Sequence, residues 1–115
     1  MKQEEKQLLL KDLCARYPYN AVVKEICAKY NNSADTKLIL NHLEYIMYSG
    51  WEIKPYLRPI SSMSQSEYDE YLCIKTHGKP FEVIDWLNAR HIDYRKLIDK
   101  GLAIAVTDEN NPYKI

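Results

Sequence analysis

The sequence predicts an α+β domain with an N-terminal helix, a small antiparallel sheet in the middle, two or three C-terminal helices and a short last strand. Three observations carry this prediction. Leu9, Leu10, Leu13, Cys14 and Tyr17 recur at helical spacing near the start of the chain. Ser64 and Glu67 form a capping box that opens a second helical region. Between them lies a middle rich in β-branched and aromatic residues, and near the end comes the short apolar run 102–106.

Each element follows in order. Residues 3–16 form an amphipathic helix, with Glu4 and Glu5 in the first turn and Lys11 and Arg16 later, as the helix dipole favours, ending near Tyr17-Pro18. Residues 21–30 fit either a short helix (Val22, Ile26, Tyr30) or a strand. Residues 37–48 match a helical face through Ile39, Leu43, Ile46 and Met47, and equally a pair of strands. Asn31-Asn32-Ser33 and Ser49-Gly50 carry turn chemistry on either reading.

Pro55 and Pro59 fix φ and push Lys54 and Arg58 toward extended conformations, so residues 54–60 read as a stiff connector. A helix begins at Gln65, with Met63 and Tyr68 placed as a hydrophobic staple and Tyr68, Tyr71 and Leu72 on one face. Residues 76–79 break it. Pro80 is a first helical residue, followed by a stripe of Phe81, Val83, Ile84, Trp86 and Leu87 reaching Arg90. Asp93 caps a last short helix with Tyr94, Leu97 and Ile98, which Gly101 closes as its left-handed end. Residues 102–106 make the final strand. The globular part is then 1–106, and the polar tail 107–115 is expected to fray.

Three blocks, LLLKDLCARYPY at 8–19, IKPYLRPISSM at 53–63 and DWLNARHIDYRKLIDKGLA at 85–103, together resemble a family of small proteins of gut anaerobic bacteria, often found in mobile or prophage-like regions. No activity comes with that resemblance. It implies short strands between the first helix and the Lys-Pro-Tyr block. Asn20 stands where such proteins usually carry Gly, and Asn tolerates the left-handed turn.

At 115 residues, 46% hydrophobic and 28% charged, with 3 Gly and 5 Pro, the chain has the composition of one folded domain with a single core. Lys plus Arg and Asp plus Glu both number 16, with the signs interleaved. Binding by neutralising many phosphates, or by a polybasic membrane patch, is therefore disfavoured. The apolar run 102–106 is far short of the roughly 20 residues that span a bilayer. The start lacks a signal-peptide pattern, so the cytoplasm is the expected compartment. Three cysteines, Cys14, Cys27 and Cys73, lack C-x-x-C spacing and read as reduced, buried thiols.

Few patterns point to chemistry. Cys73 and His77 stand i, i+4, but no second ligand pair follows at zinc spacing. Cys14, Cys27, His42, His77, His91 and Asp93 are the groups from which a nucleophilic set would have to be drawn. His91 and Asp93 have sufficient structural roles at a helix junction. Asp69-Glu70 and Asp108-Glu109 read as solvated faces, and no Gly-rich phosphate loop occurs. No catalytic residue, cofactor or metal site is expected.

Ten tyrosines against one phenylalanine suit half-buried surfaces and interfaces. Tyr17, Tyr19, Trp51, Tyr56 and Arg58 make up the candidate interaction patch. The expected role is a non-catalytic interaction or accessory module whose partner is another protein. The alternatives are a nucleic-acid-associated protein of a prophage or mobile element and, more remotely, an enzyme with an unrecognised Cys/His site.

Overall fold

A computed structural model describes residues 2–27, 32–48 and 51–113, with the side chains of Cys27, Asn32, Tyr45, Met47, Tyr48 and Trp51 outside the description. The fold is α+β. Helix α1 (Gln3–Arg16) runs into a single 3-10 turn (Tyr17–Tyr19), and Asn20 then turns the chain with φ 58°. Strands β1 (Val22–Cys27) and β2 (Asn32–Lys37), helix α2 (Leu40–Tyr48) and strand β3 (Trp51–Leu57) follow. A 3-10 turn (Ile60–Ser62) leads to α3 (Gln65–His77), α4 (Pro80–Ala89) and β4 (Ile104–Ala105). No helix among the described residues is long and apolar enough to cross a membrane.

The sheet order is β2-β1-β3-β4. β1 pairs antiparallel with β2 (Val22↔Lys37) and with β3 (Val23↔Pro55), whereas β3 and β4 run parallel (Tyr56↔Ile104). The sheet is therefore mixed, not wholly antiparallel as expected. A parallel pair needs a long crossover, and the return through α3 and α4 before β4 supplies one.

The two ambiguous stretches resolve differently. Residues 22–27 become a strand, and 40–48 become a helix. Val23 and Ile53 are fully buried on the sheet, while Ile46 of α2 joins the same cluster. Of the expected turns, Asn31, Ser49 and Gly50 lie outside the described residues, and Asn32 and Ser33 open β2.

The expected connector 54–60 is instead the end of β3 followed by the 3-10 turn. Pro55 is tolerated because the Tyr56 carbonyl faces β1, so the neighbouring proline nitrogen faces the other side, where β4 begins to pair only at Tyr56. The expected last helix is absent. Residues 93–100 form turns, and Asp93 still acts as a cap, its two carboxylate oxygens accepting from Leu97 N–H at 3.0 Å and Ile98 N–H at 2.9 Å. Gly101 takes φ 75°, as expected.

Among the described residues the apolar core falls into two clusters. The larger joins Leu9 and Leu13 of α1 to Val23, Ile53 and Leu57 of the sheet and to Leu97 and Leu102. The smaller is built on Trp86, Leu87 and Ile92, with Met63, Tyr71, Ile74 and Val83 against it. The second exists because α3 and α4 pack mainly on each other and fill their own interface.

In α1 the buried face is Leu9, Asp12, Leu13 and Arg16, at i, i+3, i+4 and i+7. Cys14 is exposed and Tyr17 is 42% exposed, so the buried stripe lies beside the expected one. Cys73 is exposed as well, which corrects the expectation of buried thiols for these two, and the Cys27 side chain is outside the description.

Candidate functional site

Among the described residues three groups of polar side chains are held firmly in place. The first is on α1. Arg16 and Asp12, both fully buried, meet at 2.8 Å through Nε and Oδ2. Arg16 also donates from Nη2 to the Ile92 carbonyl at 2.7 Å, and Asp12 accepts from Arg95 at 2.8 Å through its other oxygen. The Arg16 guanidinium lies 5.2 Å from the centre of the Tyr94 ring. This group ties α1 to the turn after α4.

The second is His42, fully buried on α2. Its Nδ1 accepts from the Ile39 N–H at 3.0 Å, which places the proton on Nε2, where Glu25 of β1 accepts it. With both ring nitrogens engaged, the pair works as a tie between α2 and the sheet. It offers no nitrogen to a substrate.

The third group surrounds a cleft of about 440 Å³. One wall comes from Arg58 and Ser62, after β3, and from Arg90 and His91, after α4; the other comes from the C-terminal segment, including Thr107, Asp108, Asn111 and Tyr113. Arg58 is anchored by Glu67 through Nη1 at 2.8 Å and Nη2 at 2.7 Å, with Nε reaching Ser62 Oγ at 3.2 Å. Arg90 reaches Glu70 at 3.1 Å and lies over the Trp86 ring at 4.1 Å. Both arginines are thus aimed by carboxylates of α3.

Glu67 does two jobs. It completes the expected capping box, accepting from Ser64 N–H at 3.0 Å while Ser64 Oγ accepts from Glu67 N–H at 3.1 Å. The Arg58 hydrogen bonds also lower its carboxyl from an ordinary 4.5 to about 2. A folded value below the unfolded one means that the stabilisation is present in full above about pH 4.5 and is lost as the pH falls toward 2. A Glu67→Gln variant should show a flatter dependence of unfolding free energy on pH across that window, measured by urea titration at stepped pH. An unchanged slope would mean that the Arg58–Glu67 pair contributes nothing.

His91 sits at φ 59°, a strained conformation for a non-glycine residue. Its ring stacks on Tyr113 with 3.7 Å between centroids and 7° between planes. Burial, with Arg16 and Arg58 nearby, lowers its pKa to about 4, so it is neutral near pH 7, and its buried Nδ1 has no hydrogen-bond partner. The structural role expected at the helix junction is this stack together with the His91 N–H bond to the Asn88 carbonyl at 3.1 Å.

Tyr113 holds the second wall. Its hydroxyl accepts from Val22 N–H at 2.9 Å and donates to the Tyr56 carbonyl at 2.8 Å. It stands where β1 and β3 would otherwise exchange ladder bonds, just beyond the Val23↔Pro55 pair. Burial raises this hydroxyl to a pKa of about 12. The tail therefore packs back onto the sheet as far as Tyr113.

The expected patch does not assemble as one exposed surface. Tyr17 is exposed, but Tyr19 is half-buried, with burial and then Asp85 raising its hydroxyl pKa. Tyr56 is buried and donates to Asp35 at 2.8 Å, burial and this bond lifting its pKa to about 12. Arg58 lines the cleft, and the Trp51 side chain is outside the description. Tyr56 lies on the face of β3 opposite Ile53 and Leu57 and is buried there, with its hydroxyl held by Asp35.

Cys73 and His77 both lie exposed on α3, and no group of three or more potential metal ligands occurs among the described residues. Sequence reasoning passed over Arg16, Arg90 and Tyr113. Arg16 was detectable from its i, i+7 relation to Leu9, whereas Arg90 and Tyr113 gain their roles only from long-range packing. No family model, no curated protein and no solved structure matches this chain.

Proposed function

We propose that the protein is a non-catalytic interaction module that docks another protein through the outer surface of α3 and α4. One observation carries this reading: Tyr68, Leu72, Phe81 and Ile84 are 46%, 40%, 60% and 37% exposed. The sequence pattern places Tyr68 and Leu72 on one helix face with Tyr71, and Phe81 and Ile84 in the apolar stripe of α4. The interface of the two helices is instead filled by Tyr71, Ile74, Val83 and Trp86, which leaves these large apolar side chains in water. Apolar surface on capped helices is a common basis for protein recognition. A cytoplasmic accessory role, alongside the small gut-anaerobe proteins that the chain resembles, belongs to the same reading.

The test compares wild type with a Leu72→Asp/Phe81→Asp variant, its fold verified by circular dichroism, in affinity capture from host lysate with and without nuclease. A stoichiometric protein partner that survives nuclease and falls at least tenfold in the variant is the expected result. Recovery that depends on nucleic acid, or equal recovery by the variant, would replace this reading.

A further inference from the structure

We propose that the cleft between the Arg58/Arg90 wall and the C-terminal segment binds a small hydroxylated oxyanion, a phosphate ester or a carboxylate. This goes beyond docking through α3 and α4 and uses different residues. The walls of the cleft carry hydrogen-bonding groups that the fold does not use.

A guanidinium carries five N–H donors. Arg90 uses one on Nη1 for the Trp86 carbonyl and one on Nη2 for Glu70. Its Nε–H and one N–H on each terminal nitrogen are left over. Arg58 is more fully engaged, with Ser62 and Glu67 taking all but one Nη1 N–H. On the opposite wall, Asn111 accepts from the Tyr113 N–H at 2.9 Å through Oδ1, which leaves its amide NH₂ as a donor pair. Thr107 is fixed by Asn110, which accepts from both its N–H and its hydroxyl, at 2.6 Å and 2.7 Å. The lining is therefore rich in unspent donors, which suits an acceptor-rich anion.

Asp108 is the acidic residue of the lining, a carboxylate with no hydrogen bond to another described residue. An anion with no donor of its own would meet repulsion there. One carrying hydroxyl groups would place its oxyanion toward Arg90 and Asn111 and a hydroxyl toward Asp108. Both arginines are held in place before a ligand arrives, Arg58 by its paired bonds to Glu67 and Arg90 by its stack on Trp86, which limits the ordering cost of binding. A volume of about 440 Å³ is within the range of small-ligand clefts.

The experiment is a two-dimensional ¹⁵N NMR titration of the full chain with glycerol 3-phosphate, gluconate and inorganic phosphate. Saturable shifts with glycerol 3-phosphate or gluconate, centred on the amides of Arg90, His91, Thr107 and Asn111, are expected; which of the two binds tells phosphate ester from carboxylate. Arg90→Gln and Asn111→Ala, each checked for a native spectrum, should weaken binding at least tenfold, and Asp108→Asn should narrow the preference over inorganic phosphate. The absence of saturable shifts with all three probes, inorganic phosphate binding as tightly as the other two, or unchanged binding by both variants would overturn the proposal. The Leu72→Asp/Phe81→Asp variant should bind like wild type, so a failed docking surface and a failed cleft give separate signatures.

Discussion

Asp12→Ala is expected to lower the unfolding free energy by about 3–5 kcal/mol, the usual cost of removing one partner of a buried ion pair. Asp12 is fully buried and is the carboxylate on which Arg16 and Arg95 converge, so its loss leaves the Arg16 charge inside the protein with only the Ile92 carbonyl to accept from it. Domains of this size have about 5–15 kcal/mol of stability, so the variant should sit near the edge of folding. Urea denaturation followed by circular dichroism gives the number. A loss below about 1 kcal/mol would show that water reaches Arg16 readily and that the pair is not a structural tie.

Trp86→Ala is expected to cost about 3–5 kcal/mol as well, by a different route and with a different pattern. Trp86 is 7% exposed and lies 5.8 Å from the Tyr71 ring, and its indole N–H donates to Glu70 at 3.0 Å. Removing it opens a cavity in the smaller cluster, takes away the surface on which Arg90 stacks, and leaves Glu70 with Arg90 alone. Hydrogen exchange should accelerate in α3 and α4 and stay slow in α1, β1 and β3, because the larger cluster contains neither helix. Uniform acceleration along the chain would mean that the two clusters unfold as one unit. Trp86→Phe keeps most of the buried area and gives up the N–H bond, so it should cost about 1 kcal/mol.

Much of the local structure was written in neighbouring residues. The Ser64/Glu67 box, Pro80 at the start of α4, the left-handed positions of Asn20 and Gly101, and the cap from Asp93 all depend on contacts within a few residues, and each occurs. Residues 22–27 and 40–48 were ambiguous for a physical reason. Short segments of mixed apolar residues satisfy both periods, and the choice falls to whatever they pack against. Proline at 55 was misleading because its effect on a strand depends on which side of the ladder its nitrogen faces, a fact of the sheet and not of the segment.

The candidate cleft was hardly legible. Arg58 was singled out, but for a different surface; Arg90, His91 and Asn111 come from segments whose proximity depends on the chain's return to β4 and on Tyr113 reaching back to Val22 and Tyr56. A tyrosine in a polar tail was the available signal, and nothing local says where its hydroxyl will go.

By itself the sequence determined the α+β class, the helix boundaries that carry their own caps, and a balanced charge that sets no long-range field, because these follow from residue chemistry over one or two helical turns. Tertiary structure alone decided which face of α1 is buried, that β3 takes up the proline segment, that α3 and α4 turn apolar residues outward, and that two arginines share a cleft. Those outcomes depend on residues far apart in the chain competing for the same interior, and a side chain's own preferences leave that competition open.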